Sequence, residues 1–187
     1  MNNSEVAKEL NKMFRSMRRK KQILSQEDTV DILENCSAGV LGVIGDDGYP
    51  YTVPLSYTYM DDKIFIHSAV DGHKIDSIKK NDKVSFTVIE MDEVIQETFT
   101  SHFRSVVIFG RARILSDDSL KRLALESLVE KYSPDYIKEG DEEIAKDWDR
   151  VSLIEINIEH MTGKEAIEIV NEKRQKASQM KGPSDLE

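Results

Sequence analysis

The sequence predicts a mainly β protein of the α+β class, a small six-stranded antiparallel barrel with helices packed at its ends. Three observations carry this. Ser37–Ala69 holds three apolar, β-branched runs separated by Asp-rich turn signals, too closely spaced for crossover helices. Ile154, Ile156 and Ile158 alternate strictly with Glu155, Asn157 and Glu159, the period of a strand with one buried and one wet face. Leu120, Leu123, Ala124, Leu128 and Val129 recur at helical spacing.

Met1–Lys21 is polar and basic, with scattered apolar residues at Val6, Leu10 and Met13, and reads as a solvated arm or a frayed amphipathic helix. A helix begins near Ser25, where Ser25 and Asp28 fit a capping box. Val30, Ile32, Leu33 and Cys36 form its apolar face, with Cys36 as a small buried hydrophobe. Ser37–Gly45 is the first strand, and Asp46-Asp47-Gly48 is a hairpin turn. Tyr51–Met60 is the second strand, Asp61-Asp62 turns the chain, and Lys63–Ala69 is the third. His73–Lys80 is a short helix with Ile75 and Ile78 on one face. Val84–Met91 is the fourth strand, Asp92–Phe103 a polar excursion without period, and Ser105–Leu115 the fifth strand. A helix then opens near Ser116, with Asp117 or Ser119 as its cap, and stops at Ser133-Pro134. Asp135–Asp149 is acidic and contains a further short helix; Val151–Met161 is the sixth strand. The tail is helical after Gly163 and then highly charged, with disorder expected in about its last ten residues.

Composition narrows the function. Of 187 residues, 35 are acidic and 26 basic, a net charge of −9. Met1–Lys21 alone carries +5, which leaves −14 on the remainder. So acidic a body is a poor partner for nucleic acid, whose phosphates call for Lys and Arg. A single cysteine, Cys36, excludes an intrachain disulfide framework, and the four histidines show no metal-ligand spacing. No apolar run approaches the length of a membrane span, and the charged N-terminus lacks the apolar core of a signal peptide. A cytoplasmic protein with no membrane and no metal site is therefore expected.

Three segments are candidates for chemistry. In His67–Lys74 a strand ends, Gly72 turns the chain and a helix starts, so His73 and Lys74 fall in a first turn that disfavours cations. A bound anion, held by free N–H groups, Lys74 and Ser68, makes sense of that placement; two solvated side chains on a short helix are the plain alternative. Val53-Pro54-Leu55 puts proline inside a strand pattern, which marks either an ordinary edge strand or backbone left free to face a ligand. Phe103-Arg104-Ser105 leads a long loop into a strand, where Arg104 reads either as a surface ion-pair partner or as a ligand-facing group. The loop is neither a P-loop nor a dinucleotide-binding glycine turn.

Together, Tyr51–Tyr57, Ile66–Ser68 with Gly72–Lys74, Phe103–Ala112 and Thr162–Lys164 resemble the FMN-binding split-barrel superfamily, the pyridoxamine 5′-phosphate oxidase-like proteins. The match is nearest to the nitroimidazole-resistance (Nim) branch. The resemblance implies a six-stranded antiparallel split β-barrel that forms a homodimer, with FMN in a groove at the subunit interface. It implies that the backbone of Val53, Pro54 and Leu55 lines the flavin ring. It places His67, Ser68, His73 and Lys74 around the phosphate end and brings Arg104 and Ser105 in from a neighbouring strand. It makes His67 the catalytic candidate. The implied activity is reduction of a small aromatic or nitroaromatic substrate with electrons from NAD(P)H or another donor. A non-catalytic module holding flavin or haem is the alternative. The chain then divides into a basic arm (1–22), the barrel domain (23–166) and a charged tail (167–187). No clear match exists to the substrate-binding arginine of vitamin B6 oxidation.

Overall fold

The computed structural model describes residues 13–180. The arm's residues 1–12 and the tail's residues 181–187 lie outside it, together with the expectations that fall on them.

Helix α1 (Gln26–Asn35) starts as the capping box requires: the Ser25 hydroxyl accepts from the Asp28 N–H at 3.0 Å and donates to the Asp28 carboxylate at 2.7 Å. Strands β1 (Gly39–Ile44) and β2 (Pro50–Leu55) form the first hairpin. β3 (Thr58–Met60) and β4 (Lys63–Ala69) form the second, turned by Asp61 and Asp62, both at positive φ. Helix α2 (His73–Lys80) leads to β5 (Lys83–Ile95) and β6 (Thr100–Ile114). Helix α3 (Asp118–Tyr132), capped by Asp117 through the Leu120 N–H at 3.0 Å, is followed by α4 (Ile137–Asp147). Strand β7 (Val151–Glu165) and helix α5 (Ile167–Met180) complete the described chain.

The sheet has seven strands in the order β2-β1-β5-β6-β7-β4-β3, and every pairing is antiparallel. The antiparallel sheet is as expected, but it has seven strands where six were expected, and its edge strands β2 and β3 do not pair with each other. The run Tyr51–Met60 is not one strand but two, broken at Ser56-Tyr57. β2 pairs with β1 and β3 pairs with β4, so consecutive segments occupy opposite edges of the ladder. Two residues of chain reach only about 10 Å, so the sheet curls until its edges meet end to end at this corner.

Alternate residues of the strands point into one core. Leu41, Phe86, Ile108, Ile156 and Tyr57 pack there with Ile32 and Leu33 of α1 and Ile75 and Ile78 of α2. A second core lies outside the sheet, where Phe65 and Leu153 meet Leu125 and Leu128 of α3 and Ile144 of α4. The wet face expected at Glu155 is therefore not wet. Glu155 is buried, and Arg113 at 2.9 Å and Lys63 at 3.4 Å hold it. Burial pushes its carboxyl pKa up, and the two cations outweigh that and keep it below the usual value. The stretch Asp92–Phe103, expected to be irregular, continues β5 and β6 as a long hairpin. It extends beyond the body, which leaves Val94 and Phe99 exposed and removes the alternation that would have marked it as strand.

The corner is fastened from outside the sheet. The Tyr132 hydroxyl at the end of α3 accepts from the Tyr57 N–H at 2.8 Å. It directs its own proton toward the carbonyls of Ser37 at 2.7 Å and Tyr57 at 2.9 Å. Lys131 lies 4.0 Å from the Tyr57 ring centroid and donates to the Leu33 carbonyl at 3.2 Å. Removing the hydroxyl in Tyr132→Phe strands a part-buried N–H, so urea denaturation is expected to show a loss of about 1–3 kcal/mol. An unchanged midpoint would contradict the fastening role.

Candidate functional site

β3 runs beside β4 only over Lys63–Phe65. From Ile66 to Ala69, β4 pairs with β7 on one side and has no strand on the other. β2 likewise pairs with β1 alone. A seam is thus left between the free edges of Pro50–Leu55 and Ile66–Ala69, below the corner at Ser56-Tyr57. Pro54, exposed and lacking an N–H, sits on this edge strand where a central strand would not tolerate it. Val53 and Leu55 are half-buried beside it.

The end of the seam is built by α2. Gly72 has φ 115°, a conformation open to glycine, and no side chain caps the helix. The first main-chain bond of the helix runs from the Asp76 N–H to the Gly72 carbonyl at 3.0 Å, which leaves the N–H groups of the first turn available. Lys74 is half-buried and in no ion pair among the described residues. Ser68 is only 6% exposed, and its hydroxyl has no partner. A buried hydroxyl without a partner is costly, and a ligand oxygen in the seam would satisfy it.

His73 has a further task. Its ring stacks on Tyr51 with centroids 4.2 Å apart, and its Nε2 accepts from the Asp46 N–H at 3.4 Å. The carboxylate of Asp46 lies 3.7 Å from the same nitrogen and 3.0 Å from Lys80. His73 thereby ties α2 to the β1–β2 turn. His67 lies on the outer face of β4, open at a cleft of about 740 Å³. The walls around it strip away enough water to push its pKa below the usual histidine value, and the charge of Lys74 adds to that effect.

Arg104 and Ser105 do not join this group within one chain. Toward β2, strands β5 and β1 intervene; toward β4 only β7 does, but Arg104 and Ser105 pair with its end at Lys164 and Glu165, whereas β4 pairs with its start over Val151–Asn157. Arg104 is taken up by Glu90 at 2.8 Å, Asp28 at 3.4 Å and Glu165 at 3.6 Å, and Glu165 is held in turn by Lys173 at 2.7 Å. These carboxylates come from α1, β5 and β7, a convergence that no local sequence pattern announces. The residues that sequence reasoning missed are Ser56, Leu125, Tyr132 and Tyr136, which line the cleft with His67. They belong to segments that read as ordinary strand and amphipathic helix. Among the described residues no cluster of His, Cys, Asp or Glu is arranged to hold a metal ion, and no helix is long and apolar enough to cross a membrane.

The fold is thus a curled antiparallel sheet with an open seam, and the stretch Ser68–Lys74 at the free edge of β4 carries a buried, unpartnered serine and an uncapped helix N-terminus. The chain belongs to the pyridoxamine 5′-phosphate oxidase family, whose model matches residues 25–165. No curated protein matches the sequence. Among solved structures, the chain is similar to a candidate 5-nitroimidazole antibiotic resistance protein from Bacteroides thetaiotaomicron. There the TM-score is 0.60 and the identity 22%, over 76% of this chain and 85% of the other. It is also similar to the flavocytochrome Anf3 from Azotobacter vinelandii, with TM-score 0.67 and 22% identity over 81% of this chain and 72% of the other. A FAD-binding protein from Mesorhizobium loti matches with TM-score 0.54 and 28% identity, over 78% of this chain and 97% of its own.

The electrostatics of His67 carry a test. Because its folded pKa lies below the unfolded one, the neutral imidazole is the form that folding favours. Falling pH protonates the unfolded chain first, and His67 therefore costs stability on the acid side. In Lys74→Ala the NMR titration midpoint of His67 is expected to move up, toward the ordinary value of about 6.5. A midpoint that stays or falls contradicts the placement of Lys74.

Proposed function

We propose that the seam holds FMN and that the protein is a flavin-dependent reductase of small aromatic compounds, nitroaromatics of the Nim type included, with NAD(P)H as electron donor. The observation that carries this reading is that the short stretch Ser68–Lys74, at the end of the free edge of β4, holds an unpartnered buried hydroxyl, the uncapped start of α2 and a lysine in no ion pair. N–H groups at a helix start and a lysine are the usual complement of a phosphate. The names of the neighbours support a flavin: one is a flavocytochrome and another binds FAD.

The residues fit the group. Lys74 and the N–H groups of His73 and Lys74 hold the phosphate, with Ser68 as an added donor. The exposed edge of Val53–Leu55 offers main-chain groups to the ring. Bound flavin supplies the transfer of electrons between a nicotinamide donor and an aromatic acceptor. His67, kept neutral, has one ring nitrogen carrying a proton and one bare, so it both donates and accepts a hydrogen bond at the cleft. We assign it to relay a proton to the substrate as it is reduced, taking one from solvent at its bare nitrogen as it gives up the one it carries.

Ser105 and its outward neighbours on the sheet suggest where a second copy sits. Ile89 pairs with Ser105 and is 58% exposed; Phe109 lies on the same face and is 40% exposed. We assign this apolar face to a homodimer contact.

FMN titration of the purified full chain, read by flavin absorbance, is expected to give one FMN per chain, and mass spectrometry to find FMN in any yellow preparation. No uptake overturns the reading. Lys74→Ala is expected to weaken FMN by about tenfold or more while leaving riboflavin, which has no phosphate, nearly unchanged. Equal losses would remove the phosphate role. Light scattering at micromolar concentration is expected to give the mass of a dimer, and a monomer contradicts the assigned face.

A further inference from the structure

The cleft beside His67 has a character of its own. One wall is apolar: Leu125 and Leu128 of α3 and Ile144 of α4. Its rim is acidic. Glu139, Glu143 and Asp147 lie four residues apart on α4, one stripe of the helix turned to the cleft. No lysine or arginine lines it. Glu143 and Asp147 keep cations outside the cleft, Lys146 at 2.8 Å and Arg150 at 3.5 Å. Glu139 is in no ion pair among the described residues. Tyr136, 64% exposed, also lines the cleft, in the short turn that follows the end of α3 at Tyr132. An exposed aromatic ring beside an unpaired carboxylate is a setting for a cation, through charge and through the ring face.

Gly140 of α4 lies against Val129 of α3, where a Cβ would collide with both methyl groups, so the two helices that wall the cleft approach closely. A flat ring makes more contact with the apolar wall of Leu125, Leu128 and Ile144 than a branched molecule does. The charges of the two ends are opposite. Lys74 and the start of α2 form the positive end of the seam, and the carboxylates of α4 form the negative rim of the cleft, with His67 between them.

We propose that this cleft is the substrate subsite and that it selects planar aromatic cations over neutral and anionic rings of the same shape. The inference rests on the proposed flavin reading for the word substrate, and its binding test does not require flavin. Its occupant lies between Tyr136 and the apolar wall, with its positive charge toward Glu139 and one edge toward His67. An anionic ring meets the unpaired Glu139, with Glu143 and Asp147 partly offset by Lys146 and Arg150, and is disfavoured.

The test uses the full chain and three probes that share one planar bicyclic ring and differ in charge: N-methylquinolinium, quinoline and quinoline-4-carboxylate, titrated at pH 8 with and without FMN. Binding is read by calorimetry and by the NMR signals of His67. The cation is expected to bind about tenfold tighter than quinoline, and the carboxylate weakest. In Glu139→Gln/Glu143→Gln that preference collapses toward unity, while FMN uptake and the thermal midpoint stay as in the parent chain. Tyr136→Ala, a surface change, is expected to weaken the cation more than quinoline. Equal affinity for the three probes, or a preference untouched by these substitutions, overturns the inference. Failure of FMN uptake with the cation preference intact counts against the flavin reading alone.

Discussion

At Tyr57 the main chain has left the ladder of β1 and not yet joined that of β4, so its N–H and C=O need partners from elsewhere. Tyr132 is that partner, and through it α3 holds the corner at which the sheet changes edges. The Tyr57 ring adds to the constraint. It is fully buried edge-on to Phe86 at 5.1 Å, under the ammonium of Lys131. Burial pushes the Tyr57 hydroxyl pKa well above the ordinary value, so it stays neutral in the core. With the corner fixed, the free edges of β2 and β4 diverge by geometry, and the seam is the space that divergence opens. The same α3 that holds the corner supplies one wall of the cleft, so the position of the seam and the shape of the cleft are set by one helix.

Charge is distributed along this groove rather than spread evenly over an acidic body. Its cations are mostly spent. Arg104, Arg113 and Arg111 are each bound to two or more carboxylates or to a buried one. Lys74 is the exception at the seam, and its isolation from carboxylates gives it a field that a phosphate can use. Arg104 does different work. It joins α1, β5 and β7 at the far end of the core, where losing it would leave buried Glu165 short of one of its two cations.

Much of the fold was legible in the residues because local signals agreed. Ser25 with Asp28, Asp46-Asp47-Gly48 and the Ile154–Ile158 alternation each named an element that the structure contains. Tyr51–Met60 misled because a corner between two β segments costs no break in β-forming residues; Ser56-Tyr57 is as compatible with a strand as with a bend. Asp92–Phe103 misled because an arm in solvent needs no alternation. At the site, Gly72, His73, Lys74 and Ser68 were visible as a strand-to-helix turn with misplaced cations. The partners of Arg104 and the stripe on α4 were not, since both depend on segments brought together only by the curled sheet.

Hydrogen–deuterium exchange of the full chain with and without FMN tests the seam most directly. Slowed exchange is expected at Val53–Ser56 and at Ser68–Lys74 when FMN is added, with the β5–β6 hairpin tip unchanged. Protection confined to other strands, or none at the seam despite FMN uptake, would contradict the seam as the FMN site.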